Sequence, residues 1–277
     1  MDLIYITNDQ DQASVLQSAG VNRVMVDLEI NGKVKRQGHL DTVISRHAID
    51  DVGKLRSVLS TSELMVRVNP IHADSRTEID RCVDLGADRI MLPMFTTASE
   101  VAQFLKLVGG RTKTCLLLET PASVVRLESI LEVPGVEEIH IGLNDLHLGF
   151  GLSFMFELVS GGVIDLCSRA INARSIKFGF GGIARLGTGV LPSDLILSEH
   201  SRIGSSQVIL SRDFQNIFVD AKTPQDAERA LRREINKIRN HLAQLKDDYN
   251  SHRDNREILS RIVHEYVRQR ADIKQAA

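Results

Sequence analysis

Short apolar runs recur along the chain, and each is followed by a longer segment whose apolar residues fall on one helical face. LIYIT (3–7) precedes a helical stretch near 9–18, and RVMVDLE (23–29) precedes a polar loop and a helix near 48–60. ELMVRVN (63–69), DRIMLP (88–93) and TCLLLE (114–119) precede helices near 74–85, 97–108 and 121–132. EEIHIGLND (137–145) leads to a helix near 156–173, IKFGFGG (176–182) to one near 192–201, and SQVILS (206–211) closes the series. Strands that alternate with helices pair in parallel, because each parallel pairing needs a crossover. Eight such units predict an α/β fold of the (β/α)8 TIM barrel type. A doubly wound open sheet is the alternative that periodicity leaves open. Helix punctuation agrees with the reading. Thr120 is placed to cap a helix that begins at Pro121. AGVNR, LGADR and VPGVEE each set a glycine shortly before a strand, as a helix C-terminus requires.

The pattern changes after about residue 221. AERALRREINKIRNHLAQLKDDYN carries apolar residues at 230, 231, 235, 238, 242 and 245, which form one helical face. A second helical stretch covers roughly 254–271. The chain therefore divides into a barrel domain at 1–221 and a helical extension at 222–277. The extension would serve either as a lid on its own barrel or as an oligomerisation arm.

Composition narrows the class. Of 277 residues 43% are hydrophobic and 25% charged, ordinary for a globular protein, and the formal net charge of -2 gives no general attraction to nucleic acid or anionic membrane. Cys82, Cys115 and Cys167 lack metal-ligand spacing, and Cys115 and Cys82 lie in apolar patterns that suggest inert buried thiols. The opening MDLIYITNDQ does not read as a signal peptide, and no apolar run approaches the roughly 20 residues that span a bilayer. A cytoplasmic enzyme or binding protein is expected.

Chemistry gathers at the strand C-termini. Strand two ends in Asp27 and Glu29, strand three holds Arg67 and ends at Asn69, strand five ends in Glu119, and strand six runs into Asn144 and Asp145. In a barrel these positions converge on the face that carries active sites. Taken singly, each residue reads as a cap or an ion-pair partner, and Arg67 has Glu63 and Glu119 as candidate partners. Together, several carboxylates at one face repel each other, and a divalent cation removes the conflict. Mg²⁺ suits two carboxylates plus water and substrate oxygens, and Mn²⁺ or Co²⁺ also fits.

GLNDLHLGFG, preceded by LLLETP, resembles the HpcH/HpaI-type class II pyruvate aldolases and citrate lyase β subunits. Glu119 follows an apolar strand, and Asp145 comes 26 residues later in a G-x-x-D-L motif. RVN (67–69), IMLPMFTTASEV and VDLE (26–29) are similar to further strands of that family, so the likeness runs over roughly 20–212. The resemblance implies a TIM barrel with a divalent metal on Glu119 and Asp145, and substrate contacts at Arg67, Leu143 and Asn144. The implied reaction is carbon–carbon bond cleavage or formation at a 2-oxo acid, through an enolate stabilised by the metal and Arg67. Its partners would be a 2-oxo acid and an aldehyde, or a CoA thioester in the citrate lyase β branch, acting in a homo-oligomer. A barrel that binds metal and ligand without lyase activity is the other class.

Two positions depart from the family pattern. Ile30 stands where these aldolases carry a histidine after the second-strand acid, and Leu117 where they carry a glutamine. A replacement base is sought in the polar loop NGKVKRQGHLDTVISRH, where His39 beside Asp41 is the candidate and His47 the comparison. His147, two residues after Asp145, is placed near the metal or on a surface turn. Lys33, Lys35, Arg36 and Arg46 offer charge to an anionic substrate or only a solvated loop. GFGGIARLGTG (179–189) lacks nucleotide-binding spacing, so tight packing competes with anion binding aided by Arg185 and Arg212.

Overall fold

The computed structural model describes residues 1–31, 47–245 and 248–276. Eight parallel strands close into a barrel in sequence order: β1 (Asp2–Ile6), β2 (Arg23–Asp27), β3 (Glu63–Arg67), β4 (Arg89–Leu92), β5 (Lys113–Leu118), β6 (Glu138–Ile141), β7 (Lys177–Ile183) and β8 (Gln207–Leu210). β1 pairs with both β2 and β8, so the sheet has no edge. This excludes the open-sheet alternative. Crossover helices α1 (Gln10–Ala19), α2 (Asp50–Val58), α3 (Ser75–Asp84) and α4 (Ala98–Val108) fall where the periodicity places them.

Three predicted elements change. The single helix near 121–132 is two short ones, α5 (Pro121–Val125) and α6 (Leu127–Leu131). The strand read over 137–145 ends at Ile141, and Leu143, Asn144 and Asp145 belong to α7 (Leu143–Gly149). The helix near 156–173 is likewise split, into α8 (Glu157–Ser160) and α9 (Val163–Asn172). α10 (Ser193–Ile203) and α11 (Gln215–Asp220) complete the barrel, followed by α12 (Pro224–Leu245) and α13 (Tyr249–Ala276).

Strand alternation produces two cores. Residues facing the helices form one large cluster that includes Val24, Val26, Leu64, Val66, Ile139 and Ile141. The alternate residues Ile4, Met25, Met65, Met91, Cys115 and Leu117 form a second cluster inside the barrel. All three cysteines are buried free thiols. At the N-terminal end of the strands the interior closes with an ion cluster. Arg23 on β2 reaches across to Glu138 on β6 at 2.6 Å, and to Asp2 at 2.7 Å and Glu63 at 3.0 Å. Arg89 and Lys113 also engage Glu63. This end is sealed by satisfied charge, and function is left to the opposite end.

The apolar face of α12, with Leu231, Ile235 and Ile238 buried, rests on α1 and α10 of the same chain. α13 packs on α10 and α8 and buries Leu259 and Val263. Arg256 of α13 ties it to Glu199 at 2.6 Å and to Asp165 at 3.1 Å. No helix among the described residues is long and apolar enough to cross a membrane.

Candidate active site

The C-terminal ends of β2, β3, β5 and β6 bring the charged residues together. β2 and β3 pair with Asp27 opposite Arg67, so the carboxylate and the guanidinium leave adjacent strands at one level. Arg67 Nε donates to Asp27 Oδ1 and Nη2 to Oδ2, both at 2.8 Å, a bidentate fork. Its Nη1 lies 3.5 Å from Glu29 Oε2. Burial pushes the Arg67 pKa down, but the charges of Asp27, Glu29 and Glu119 outweigh it and raise the value above the ordinary one. Arg67 is thus a permanent cation among acids. Neither partner considered from sequence as the main one applies: Glu63 lies in the ion cluster at the far end, and Glu119 acts on Arg67 only through its charge.

Glu119 follows β5 and is buried. Its Oε1 accepts the Met94 amide at 3.2 Å. Met94 has φ 56, a left-handed conformation that non-glycine residues seldom adopt. Such strain persists only where the surroundings enforce it, and functional sites are where it concentrates. Gly142 gives Glu119 its room: a Cβ there would lie 2.8 Å from Glu119 Oε2 and 2.9 Å from its Cβ. Asp145, in the first turn of α7, is also buried at this end of the barrel. Asp27, Glu29 and Glu119 surround Arg67 with negative charge, and Asp145 adds a fourth carboxylate at this end of the barrel.

The donor chemistry fits a small divalent cation. Two carboxylates, one directly after β5 and one in the first turn of α7, with remaining positions for water and a substrate oxygen, suit Mg²⁺ or Mn²⁺. Among the described residues no group of three histidine, cysteine, aspartate or glutamate side chains is arranged to hold a metal ion. Among the described residues a site here would rest on two carboxylates.

The other predicted residues fall in different places. Leu143 buries its side chain in the outer core, so only its backbone can face a ligand; Asn144 beside it is half-buried. His147 turns its Nδ1 back to the Leu143 carbonyl at 3.1 Å within α7. Arg185 is held bidentately by Asp213 at 2.8 and 3.1 Å, so its charge is already matched. Arg212 is exposed at the end of β8. His39, Asp41, Lys33, Lys35, Arg36 and Arg46 lie outside the described residues. His47, the comparison histidine, accepts the Asp27 amide on Nδ1 at 2.9 Å, directly beside the ion pair. An acceptor Nδ1 puts the proton of the neutral ring on Nε2.

Both ends of the loop after β2 are anchored by residues whose roles were not legible. Asn69 Oδ1 accepts the amides of Ile30 and Asn31 at 3.0 Å each, and its Nδ2 donates to Glu78 at 2.7 Å. Asp51 accepts the Ala48 amide at 2.9 Å and hydrogen bonds from Asn8 and Lys54. A polar residue two positions after Arg67 was the only sequence signal for the first anchor. The second had none.

A family model for HpcH/HpaI aldolase/citrate lyase matches residues 4–155. No curated protein matches the chain. Among solved structures, the HpcH/HpaI aldolase of Desulfitobacterium hafniense DCB-2 superposes with a TM-score of 0.61 at 16% identity, covering 79% of this chain and 90% of its own. The CitE protein of Mycobacterium tuberculosis, in complex with magnesium and acetate, has a TM-score of 0.59 at 16% identity and covers 92% of this chain and 95% of its own. The citrate synthase SbnG is similar, at 0.59 and 16%, covering 82% and 93%. At these identities the structural likeness establishes the barrel.

Proposed function

Because this chain belongs to the HpcH/HpaI aldolase/citrate lyase family, we propose that it is a divalent-metal-dependent carbon–carbon lyase that forms or cleaves a 2-oxo acid. Glu119 and Asp145 would hold Mg²⁺, with Mn²⁺ or Co²⁺ as substitutes. When bound, the cation would act as a Lewis acid on the substrate carbonyl. The observation that carries the reading is the Glu119 carboxylate, held by the strained Met94 amide and given space by Gly142 at an acidic mouth.

The chain's own residues supply orientation and charge. Asp27 fixes the plane of the Arg67 guanidinium and Glu29 lies 3.5 Å from its Nη1, so an anionic substrate oxygen would share that edge with Glu29. Developing negative charge on an enolate is stabilised best by donors already aimed at it, and Arg67 is such a donor. His47, whose Nδ1 accepts the Asp27 amide, stands beside the same pair as the candidate for proton transfer. The amides of Leu143 and Asn144 open α7, where helix geometry leaves N–H groups for a ligand.

Two positions favour the second reading, a binding barrel without lyase activity. Ile30 is 57% exposed and Leu117 lies in the apolar barrel interior, so neither can take a proton. Calorimetry and turnover separate the readings. Glu119→Gln and Asp145→Asn should each weaken Mn²⁺ binding at least tenfold while circular dichroism stays native. Unchanged Mn²⁺ affinity in both removes the metal assignment. Exchange of the pyruvate methyl protons, followed beside a panel of aldehydes and acyl thioesters, identifies the acceptor. Mn²⁺ binding with neither exchange nor turnover selects the binding barrel.

A further inference from the structure

We propose that His140, inside the barrel, is a positioning residue that sets the first turn of α7 and with it Asp145. The inference rests on the metal reading above for its functional consequence, and on geometry alone for the coupling. Ile139 and Ile141 face the outer core, so His140 between them points into the barrel, above Glu138 and below Gly142 on β6. It is fully buried. Its Nε2 lies 3.1 Å from the carbonyl of Gly181. A carbonyl only accepts, so Nε2 carries the proton and Nδ1 is left as a buried acceptor with no hydrogen-bond partner. Burial pushes the His140 pKa down to about 4, against the pull of the Gly181 bond, and Arg23 and Arg67 add to the depression. The ring is therefore neutral and keeps the tautomer that this bond requires.

The acceptor sits where β7 is irregular. The pairing of β7 with β8 shifts register between Gly179 and Gly182, and Gly181 within that shift has φ +52. A bulge of this kind re-aims the chain at a strand end. Here it brings Gly181 onto α7: a Cβ at Gly181 would lie 2.7 Å from Leu143 Cδ1 and 3.0 Å from its Cγ. Leu143 is buried at the start of the helix that carries Asp145 two residues on. His140 thus holds the Gly181 carbonyl, Gly181 seats Leu143, and Leu143 fixes the turn from which Asp145 projects. The unpartnered Nδ1 shows what that placement costs, since a phenylalanine or leucine would fill the barrel without burying a polar atom.

His140→Phe removes the donor while keeping a ring. His140→Gln restores an N–H at a similar reach. Met65→Leu, in the same barrel interior, serves as a packing control. In the metal-free protein, amide exchange over 143–149 and 181–183 should quicken about tenfold in His140→Phe, and return to within threefold of wild type in His140→Gln. Mn²⁺ affinity should fall about tenfold in His140→Phe, recover in His140→Gln, and stay unchanged in Met65→Leu. Native exchange in both segments of a folded His140→Phe protein overturns the coupling. An affinity loss that Met65→Leu shares reduces His140 to packing. If wild-type protein takes up no Mn²⁺, the metal reading fails while the exchange experiment still decides the coupling. If His140→Phe does not fold, the exchange pattern of His140→Leu takes its place with the same two outcomes.

Discussion

Arg67 shows how a residue's chemistry depends on partners that lie far away in sequence. Its fork is closed by Asp27 on one side, and lysine would keep the charge but lose the geometry. On the proposed role, Arg67→Lys is expected to lower turnover about 100-fold or more with the fold retained, as loss of one aimed donor does in oxyanion sites. Steady-state kinetics with Mn²⁺ saturating checks this, and normal turnover would make Arg67 structural. The charges at this mouth were legible because acids at the ends of apolar runs are conspicuous. Their pairing was not. Asp27 and Arg67 are 40 positions apart, and only strand register makes them neighbours. The Met94 amide was invisible as well, because a backbone donor leaves no mark in residue type. From sequence His39, beside Asp41, ranked above His47; the structure describes only His47, and its hydrogen bond with the Asp27 amide had no sequence signal.

At the scale of elements, apolar periodicity placed the strands and missed the turn that matters most. IHIGLND alternates plausibly as a strand, yet β6 ends at Ile141 and α7 begins at Leu143. Gly142 lies at an ordinary φ of -81, so its torsion does not explain the glycine. The missing Cβ does, since Glu119 fills that space. No local pattern announces a side chain arriving from another strand. Helix α12 is the opposite case, since its buried Leu231, Ile235 and Ile238 are spaced as the sequence reading required. Ile235→Ala should cost about 2–5 kcal/mol in denaturant unfolding, the range for deleting a buried aliphatic side chain. A change under about 0.5 kcal/mol would mean that α12 is not part of the cooperative unit.

For the whole molecule, the buried histidines set the acid side of stability. His140 is depressed from 6.5 to about 4 by burial first, and His200, stacked on Phe180 at 3.8 Å, is held well below its ordinary value by burial and by His140. As pH falls from about 6.5 toward 4, the unfolded chain binds protons that the native chain excludes. Stability therefore falls with decreasing pH, by about 1.4 kcal/mol per unit for each such histidine. Asp51 and Asp213 act lower: hydrogen bonds and nearby cations hold both near 2 despite the opposing effect of burial. Their contribution is complete above 3.8 and is lost only as pH falls through about 2. Denaturant midpoints between pH 7 and 4.5 should show the histidine slope, and His200→Phe should reduce it by one proton's worth. An unchanged slope would assign the acid sensitivity elsewhere. Assembly is a separate expectation. The family resemblance leads us to expect a homo-oligomer, and light scattering near 30.8 kDa at micromolar concentration would remove that expectation.

The sequence alone determined most of the elements in their order, the parallel pairing of the strands and the acidic residues at their C-terminal ends. Each of these follows from local periodicity, from the crossover that parallel strands need, and from charge placed at strand ends. Tertiary structure alone decided which acid holds Arg67, where β6 gives way to α7, how the bulge in β7 meets Leu143, and which surface covers α12. These depend on strand register and on close approach between residues distant in the chain, where a shift of one position or one added Cβ changes the outcome.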